Sequence, residues 1–391
     1  MINIKEKKDC CGCGACVQKC PLKCISLITD HEGFAYPQTD VQKCIQCGLC
    51  IKICPVINQK KERIPLECNA AQNLDKRELS QSSSGGLFII LAKYVLSQKG
   101  VVVGVVFDEN WGVKHVASQN EECIRKMMGS KYVQSDTCET FRETEKYLKK
   151  GVLVLYSGTP CQIAGLKQFL HIEYSNLITL DFICHGVPSP LVWQRYLHEL
   201  NNSNIENIEF RNKAERGWKK FSIVIKRKSS SSIKNSIVCS EKHHNNLFMK
   251  GFLSDLILRP SCYDCPVKSL KSGSDITIAD FWSVERVLPQ WVDDDKGTSL
   301  LLINTEKGIS CFQQICDKMK LQSMDYKSVL EYNSSLIKSA VPHKNREKFF
   351  MNFETNKHTV NNLVIRYCYD TRGKIKLYIR LFLQHCGLYN K

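Results

Sequence analysis

The sequence predicts a small α+β, ferredoxin-like domain at the N-terminus, followed by a larger α/β domain. Three observations lead to this fold class. Ten of the 22 cysteines fall before residue 55, and apolar strand-like runs alternate with helical patterns after residue 82. The length of 391 residues exceeds that of one ordinary hydrophobic core.

Changes in composition divide the chain into four parts. Residues 1–57 hold most of the clustered cysteines, and residues 58–81 are polar without clear periodicity, as expected of a linker. Residues 82–335 are predicted to form the larger domain, and residues 336–391 a basic, helical segment. The start lacks a signal-peptide core, and no run of about 18 apolar residues could cross a bilayer. We therefore expect a cytoplasmic protein.

The net charge of +16 favours an acidic partner protein or a membrane surface over nucleic acid. From Lys338 to the end there are eleven Lys or Arg residues against three Asp or Glu, and no nucleic-acid-binding motif accompanies them. The stretch GKIKLYIRLFLQHCGL in this segment predicts a basic amphipathic helix. Such a helix either packs its apolar face on the protein body or makes a weak contact with a membrane surface or an acidic partner.

The N-terminal cysteines form an internal repeat of the pattern CxxCxxCxxxCP. Three thiolates of each run can bind three irons of one cubane, while the fourth reaches the other cluster. We therefore predict two 4Fe-4S clusters. The ligands are Cys10, Cys13, Cys16 and Cys54 for the first cluster, and Cys44, Cys47, Cys50 and Cys20 for the second cluster.

Zinc is the competing interpretation of the repeat, because CxxC pairs also form tetrahedral zinc sites. Two complete four-cysteine runs, each followed by proline, favour iron–sulfur clusters. Cys11 and Cys24 fall outside the pattern, and we interpret them as spare thiols of a small cysteine-rich fold.

Further cysteines lie beside predicted turns of the larger domain. The segments VLVLYSGTPCQ and LITLDFICHGVPSP place Cys161 and Cys184 just after strands, where ligands gather in α/β sheets. The segment CYDCP adds Cys262 and Cys265. These four cysteines can close a third cubane, with buried free cysteine as the alternative for each.

A Ser/Gly turn, SSSGG at residues 82–86, precedes a helical apolar pattern that ends near Gly100. A turn of this kind at a helix start presents free amides and the positive end of the helix dipole, which suits a phosphate. An ordinary helix cap is the alternative.

The chain resembles two known families. Residues 1–57 are similar to bacterial two-cluster ferredoxins, and the segment from residue 82 to about residue 310 is similar to the beta subunits of coenzyme F420-reducing hydrogenase and dehydrogenase. The signatures, in family order, are SSSGG at 82–86, GSKYVQS at 129–135, GTPCQ at 158–162, CHGVPS at 184–189, CYDC at 262–265, DITIADFW at 275–282 and DDKGTSLLLINT at 294–305. Ala279 departs from the family, whose members often have glycine there.

The resemblance implies cofactors and roles for single residues. It implies FAD and a third 4Fe-4S cluster on the four cysteines of the larger domain. His185 would relay a proton, and Asp280 would orient a ligand or relay protons; a structural histidine and a turn aspartate are the alternatives. The residues expected to contact the flavin or the cluster are Ser84, Gly85, Gly86, Lys131, Thr159 and Gln162.

The predicted function is that of an iron–sulfur flavoprotein oxidoreductase. A flavin accepts a hydride as an electron pair and releases single electrons to clusters, so it connects the two parts of the chain. The expected partners are a redox protein or low-potential carrier and a small-molecule substrate, F420-like or other. A non-catalytic electron-transfer or docking subunit is the alternative.

Overall fold

The computed structural model describes residues 1–200, 204–228 and 237–385. Its N-terminal unit contains two short helices, α1 (Ala15–Lys19) and α2 (Leu49–Lys52). Between them lies an antiparallel hairpin of β1 (Ile25–Thr29) and β2 (Ala35–Thr39). This small α+β unit precedes a larger α/β unit, which confirms the predicted mixed α/β class.

The sequence repeat is visible as two equivalent backbone turns. Gly14 precedes α1 with φ 75° and ψ −3°, and Gly48 precedes α2 with φ 75° and ψ −6°. Glycine adopts this left-handed conformation without steric cost. In both halves the third cysteine of the run, Cys16 or Cys50, is therefore the second residue of a helix.

The larger unit is centred on an eight-stranded mixed sheet with the order β13-β3-β12-β11-β7-β6-β4-β5. Strands β4, β6, β7 and β11 run parallel, and the remaining pairs are antiparallel. The strand ranges are β3 (Glu67–Asn73), β4 (Val101–Phe107), β5 (Val113–Ser118), β6 (Val154–Ser157), β7 (Leu177–Phe182), β11 (Ile276–Asp280), β12 (Ser299–Ile303) and β13 (Met319–Ser323).

Helices surround this sheet, and a second, antiparallel sheet of β8 (Ile205–Asn212), β9 (Ser222–Arg227) and β10 (Ile237–Lys242) packs beside it. The helices up to β8 are α3 (Lys76–Gln81), α4 (Leu87–Ser97), α5 (Glu121–Met127), α6 (Thr140–Lys149), α7 (Pro160–Leu170) and α8 (Pro190–Glu199). The later helices are α9 (Leu247–Leu253), α10 (Val284–Val287), α11 (Glu306–Gln313), α12 (Tyr326–Leu330), α13 (Arg346–Glu354), α14 (Val360–Cys368) and α15 (Thr371–His385).

The segment predicted to be a linker, residues 58–81, has regular structure. Strand β3 pairs with β12 on one side and β13 on the other, and α3 follows it. The middle of β3 is buried, including Ala70 and Ala71. Its sequence, ECNAAQN, lacks the β-branched residues that usually mark a central strand, which explains why sequence patterning missed it.

The C-terminal segment, predicted as residues 336–391, contains three helices. Phe349, Phe353 and Leu363 of α13 and α14 are buried in the core shared with α8 and α9. The last six residues of the predicted segment, 386–391, lie outside the described residues. Within the described part of the chain, none of the helices has the length and apolar character needed to cross a membrane.

The N-terminal unit packs closely against the larger unit. Gly33, at the tip of the β1–β2 hairpin, lies against Leu191 of α8. A side chain would not fit there, because a Cβ atom on Gly33 would lie 2.2 Å from the Cβ of Leu191. Beside it, the carboxylate of Glu32 accepts two hydrogen bonds from the guanidinium of Arg346, at 2.9 and 2.5 Å. Both side chains are buried, so this bidentate ion pair fixes the hairpin on the body of the protein.

Replacing Arg346 with Met tests this contact, because it leaves the buried carboxylate of Glu32 without its partner. We expect the free energy of unfolding to fall by about 3–5 kcal/mol. The double variant Arg346→Met/Glu32→Met removes both charges and should recover most of the loss. The measurement is a double-mutant cycle. Denaturation midpoints are compared for the wild type, Arg346→Met, Glu32→Met and the double variant. A double variant less stable than both single variants would contradict the assignment.

Candidate iron–sulfur and flavin sites

The predicted ligands of the second cluster line one cavity near the protein surface. Its walls include Cys20, Cys44, Cys47 and Cys50, together with apolar side chains such as Leu22 and Ile25. Cys24 also lines this cavity, with its Sγ atom 3.4 Å from that of Cys20. Cys47 is exposed, so this end of the N-terminal unit is open to solvent.

The predicted ligands of the first cluster lie deeper in the protein. Burial, together with the neighbouring thiols of Cys10 and Cys54, raises the pKa of Cys16 to about 12. Burial is also the main cause of the raised pKa of Cys54. Thiols packed together in this way resist ionisation unless a cation compensates their charge, which a bound metal cluster provides. The residues present therefore fit a cluster at this position.

The four cysteines of the larger unit surround a second cavity, next to the N-terminal unit. Cys161 lies in the first turn of α7, directly after β6, and Cys184 follows β7. Strands β6 and β7 are parallel neighbours, so their carboxyl ends meet at one edge of the sheet. Cys262 and Cys265 come from the 3₁₀ turn Pro260–Asp264 and the residue after it. All four line the cavity, and so does Cys11.

The loop that carries Cys184 lies directly against the loop that carries Cys262. Pro188 and Leu258 form a β-bridge, and the amide of Val187 lies 3.4 Å from the Cys262 Sγ atom. A Cβ on Gly186 would lie 2.7 Å from Leu258 Cδ1 and 3.3 Å from Cys262 Cβ. Glycine at this position therefore permits the close approach of the two loops.

Among the described residues, no three His, Cys, Asp or Glu side chains converge on a single metal ion. A 4Fe-4S cluster does not require such convergence, because each cysteine binds a different iron at a corner of the cubane. Thiols arranged around a cavity therefore fit a cubane, and both cavities have that arrangement.

Thr159 and Gln162 hold the start of α7 in place. Their side chains form a capping box, in which the Thr159 amide donates to Gln162 Oε1 at 3.0 Å. The amide group of Gln162 also donates to the backbone and the hydroxyl of Ser135. The Thr159 hydroxyl lies 3.2 Å from the Cys161 Sγ atom, within hydrogen-bonding distance. Thr159 therefore contacts the proposed cluster ligand directly, and Gln162 is buried within the fold.

Charged and polar groups lie beneath the cysteines of this cavity. Asp181 lines the cavity and accepts hydrogen bonds from Ser274 and Thr277. Burial raises the pKa of Asp181 to about 6. Lys268 also lines the cavity and donates to the carbonyl of Cys184 at 2.8 Å. Sequence patterning did not single out Asp181 or Lys268, because neither stands in a distinctive spacing.

The two predicted catalytic residues have different partners. His185 lines the cysteine cavity, and its Nε2 atom is 2.6 Å from Asp255 Oδ1. Asp280 ends β11, where it accepts hydrogen bonds from Arg211 Nη1 at 2.5 Å and Trp218 Nε1 at 3.1 Å. His185 is therefore placed beside the proposed cluster ligands, whereas Asp280 belongs to a separate cluster of aromatic and basic side chains. Ala279, the departure from the family pattern, pairs with Leu300 in the sheet.

The Ser/Gly turn is held by hydrogen bonds within the protein. Ser84 donates its hydroxyl to the Thr298 carbonyl, and the Gly85 amide donates to the Ser299 hydroxyl. Gly86 precedes α4 with φ 79°, a conformation that glycine adopts readily. In this arrangement, the side chain of Ser84 and the amide of Gly85 serve the packing of the turn on β12.

Three basic residues lie on this side of the protein, of which Arg211 and Lys213 are buried and Lys131 is half-buried. Lys131 donates to the carbonyls of Met127, Met128 and Gly129 at the end of α5, and burial lowers its pKa to about 7.

Lys213 donates to the Ser84 carbonyl at 3.3 Å, and burial lowers its pKa to about 8. Arg211 lies two residues before Lys213, and its buried Nε and Nη2 atoms have no hydrogen-bond partner among the described residues. Its guanidinium also lies over the rings of Phe221 and Trp282. These unpaired donors and the surrounding positive charge fit an anionic group such as a flavin phosphate. Sequence patterning missed Arg211 and Lys213, which stand in no phosphate-binding motif.

Comparisons with known proteins find two family models and similar solved structures. Residues 152–328 match the family of the C-terminal part of the beta subunit of coenzyme F420 hydrogenase/dehydrogenase, and residues 9–58 match the 4Fe-4S dicluster domain. A chain in a xenon-derivatized structure of the F420-reducing [NiFe] hydrogenase complex from Methanosarcina barkeri is similar at 17% identity and a TM-score of 0.47. That match covers 74% of this chain and 92% of the other. No curated protein sequence is significantly similar.

The cysteine-lined cavities and the two family matches define an iron–sulfur electron-transfer protein. The resemblance seen in the sequence is confirmed. Through residues 152–328 the chain is similar to the C-terminal part of the beta subunit of coenzyme F420 hydrogenase/dehydrogenase, and residues 9–58 match a 4Fe-4S dicluster domain.

A buried histidine lies behind the loop that carries Cys161. His115 stacks on Tyr156, and its Nε2 atom is 3.2 Å from the Ser157 carbonyl. Burial lowers the pKa of His115 from 6.5 to about 4. The unfolded chain therefore binds an additional proton between these two values, and folding loses stability as the pH falls through that range.

We expect His115→Gln to weaken the pH dependence of stability, because glutamine cannot take up that proton. Between pH 7 and pH 5 the wild type should lose about 2 kcal/mol more than the variant. Urea denaturation midpoints at the two pH values measure the difference. The raised pKa of Asp181 acts in the opposite direction, but it is present in both proteins and cancels. Equal pH slopes for the two proteins would show that His115 does not titrate as described.

Proposed function

We propose that this protein is an iron–sulfur flavoprotein oxidoreductase that moves electrons between a low-potential partner and a small molecule. The observation that carries the proposal is the third set of cysteines. Cys161, Cys184, Cys262 and Cys265 come from distant segments and line one cavity beside the N-terminal unit. Cysteines that only fill a hydrophobic core are not expected to converge on one cavity, whereas a third 4Fe-4S cluster requires four cysteines around it.

The contacts between the units support a path from the second cluster through the first to the third. The cavity of the second cluster is open to solvent at Cys47, where a redox partner can approach. The first-cluster residue Cys13 packs against Gly165 of α7. The contact is so close that a Cβ atom on Gly165 would lie only 2.9 Å from the Cys13 Sγ atom. Cys161 stands about one helical turn before Gly165, so about 6 Å along the helix axis separates Cys161 from the residue that contacts Cys13.

A bound flavin would couple two-electron chemistry of the small molecule to single-electron transfer through the clusters. We place its phosphates near the Ser/Gly turn, where Lys131, Arg211 and Lys213 supply positive charge and Arg211 has unpaired donors. His185 is held by Asp255 beside the third set of cysteines, and there it could hold or release a proton. The substrate is a small molecule that undergoes this redox reaction, F420-like or other.

Iron, acid-labile sulfide and flavin per chain, measured in protein purified without oxygen, test the proposal. We expect about twelve irons and one flavin. Replacing Cys161 or Cys262 with Ser should remove about a third of the iron, while Cys316→Ser, outside the three cysteine sets, should leave it unchanged. Iron unchanged in both cavity variants would refute the third cluster. About eight irons and no flavin in the wild type would favour the alternative, a non-catalytic electron-transfer subunit.

We also propose that the outer face of α15 binds an anionic membrane surface. Leu377 is buried against the body of the protein, whereas Ile375, Tyr378, Ile379 and Phe382 form an exposed apolar stripe at helical spacing. Arg372, Lys374 and Lys376 flank the stripe, whereas Arg380 donates to Asn245 on the body of the protein, and no acidic residue lies within the helix. Lysine and arginine can extend toward lipid headgroups while apolar side chains insert below them.

Flotation with phosphatidylserine-containing vesicles tests this face. We expect Ile379→Glu/Phe382→Glu to weaken binding at least tenfold, because two apolar side chains lose their buried environment. Ile172→Glu, at an exposed position elsewhere, is the matched control. Binding should also fall at high salt and with phosphatidylcholine alone. Equal binding by both variants, or self-association of the wild type through α15 without vesicle binding, would overturn the proposal.

A further inference from the structure

Arg259 lies at the junction between the N-terminal and the larger unit. Its side chain is buried, with 1% of the residue exposed. The guanidinium donates to the Cys10 carbonyl at 2.8 Å, to Gln134 Oε1 at 2.9 Å and to the Ala35 carbonyl at 2.9 Å. It also lies 4.4 Å from the ring centre of Tyr36. One side chain thus connects three separate segments of the chain.

The positive charge of Arg259 has no carboxylate partner among the described residues. Burial alone would lower its pKa, but the thiols of Cys10, Cys11 and Cys262 and the phenol of Tyr36 raise it. The groups of opposite potential charge around this cation are therefore mainly cysteines. A buried cation is costly unless such groups compensate it, which suggests that its partners are the clusters that those cysteines bind.

The position of Arg259 relates it to two cluster sites at once. Cys10 belongs to the predicted first cluster, and Cys262, three residues after Arg259, to the proposed third cluster. A Cβ on Gly12 would lie 2.8 Å from Arg259 Nη1, so the first cysteine run rests directly on the guanidinium. The cavity of the second cluster is lined by other residues and does not include Arg259.

We propose that Arg259 is a positioning residue that raises the reduction potentials of the first and third clusters relative to the second. Each cluster gains one electron, and hence one negative charge, when it is reduced. A fixed cation in a buried environment stabilises the reduced form more than the oxidised form, which raises the potential. Electrons that enter at the second cluster are thereby drawn inward. The part that concerns the third cluster rests on the proposed function.

Redox titration followed by electron paramagnetic resonance tests this role without any substrate. In Arg259→Gln, the reduction equilibria of the first and third clusters should move at least tenfold toward the oxidised form, about 59 mV for one electron. The second cluster should not move. Arg259→Lys keeps a charge but loses the planar fork, so its shift should be smaller than that of Arg259→Gln.

Gln134→Glu offers a second variant that leaves Arg259 in place. Gln134 Oε1 accepts from the guanidinium and its Nε2 donates to the Cys11 carbonyl, so a carboxylate there would offset the positive charge and remove one donor, with little change in shape. We expect its shift to have the same direction as that of Arg259→Gln. This variant tests the charge even where Arg259→Gln fails to fold.

Arg195→Gln is the matched control, because Arg195 also donates to backbone carbonyls, those of Phe353 and His358, in the larger unit. It should leave all potentials unchanged. Unchanged potentials in Gln134→Glu, or equal shifts in Arg259→Gln and Arg259→Lys, would overturn the proposal and leave Arg259 a structural link. A wild type with about eight irons would refute the third cluster instead, and the shift of the first cluster would still test Arg259.

Discussion

The contact between the first cysteine run and the larger unit determines how the rest of the protein can work. Arg259 holds the Cys10 carbonyl, and Gly165 leaves room for Cys13 against α7. Without these contacts the N-terminal unit would be a separate ferredoxin, and the cavity around Cys161 would lose Cys11 from its wall. The close packing of two units therefore makes one electron-transfer protein from two recognisable parts.

Sequence patterns predicted those features that depend on local spacing. The repeat at Gly14 and Gly48 and the cysteines after β6 and β7 were visible because tight turns and strand ends have characteristic residues. Strand β3 was missed because its burial depends on neighbours far away in the chain. Arg259 was missed for a similar reason, since one basic residue among 55 Lys and Arg gives no signal until the fold places it beside cysteines.

The proposed flavin site illustrates a different limit of sequence reasoning. Ser84 and Gly85 stand in a pattern typical of phosphate binding, yet their hydrogen-bonding groups meet β12. Arg211 stands in no motif of the sequence, but two of its buried nitrogen atoms have no partner in the part of the chain that the structure describes. A motif indicates where a ligand can approach, whereas the donors left unpaired after folding indicate which residues are available to hold it.

The burial of Cys13 behind α7 also constrains how the protein matures. The Cys13 thiol occupies the space that a side chain at position 165 would fill, which is free because residue 165 is glycine. Cys11, close to Cys13 in the chain, is also buried. With α7 in place, little of either thiol is open to solvent. We therefore expect cofactor delivery to the N-terminal unit to precede its final docking, so that the order of assembly would follow from the fold itself.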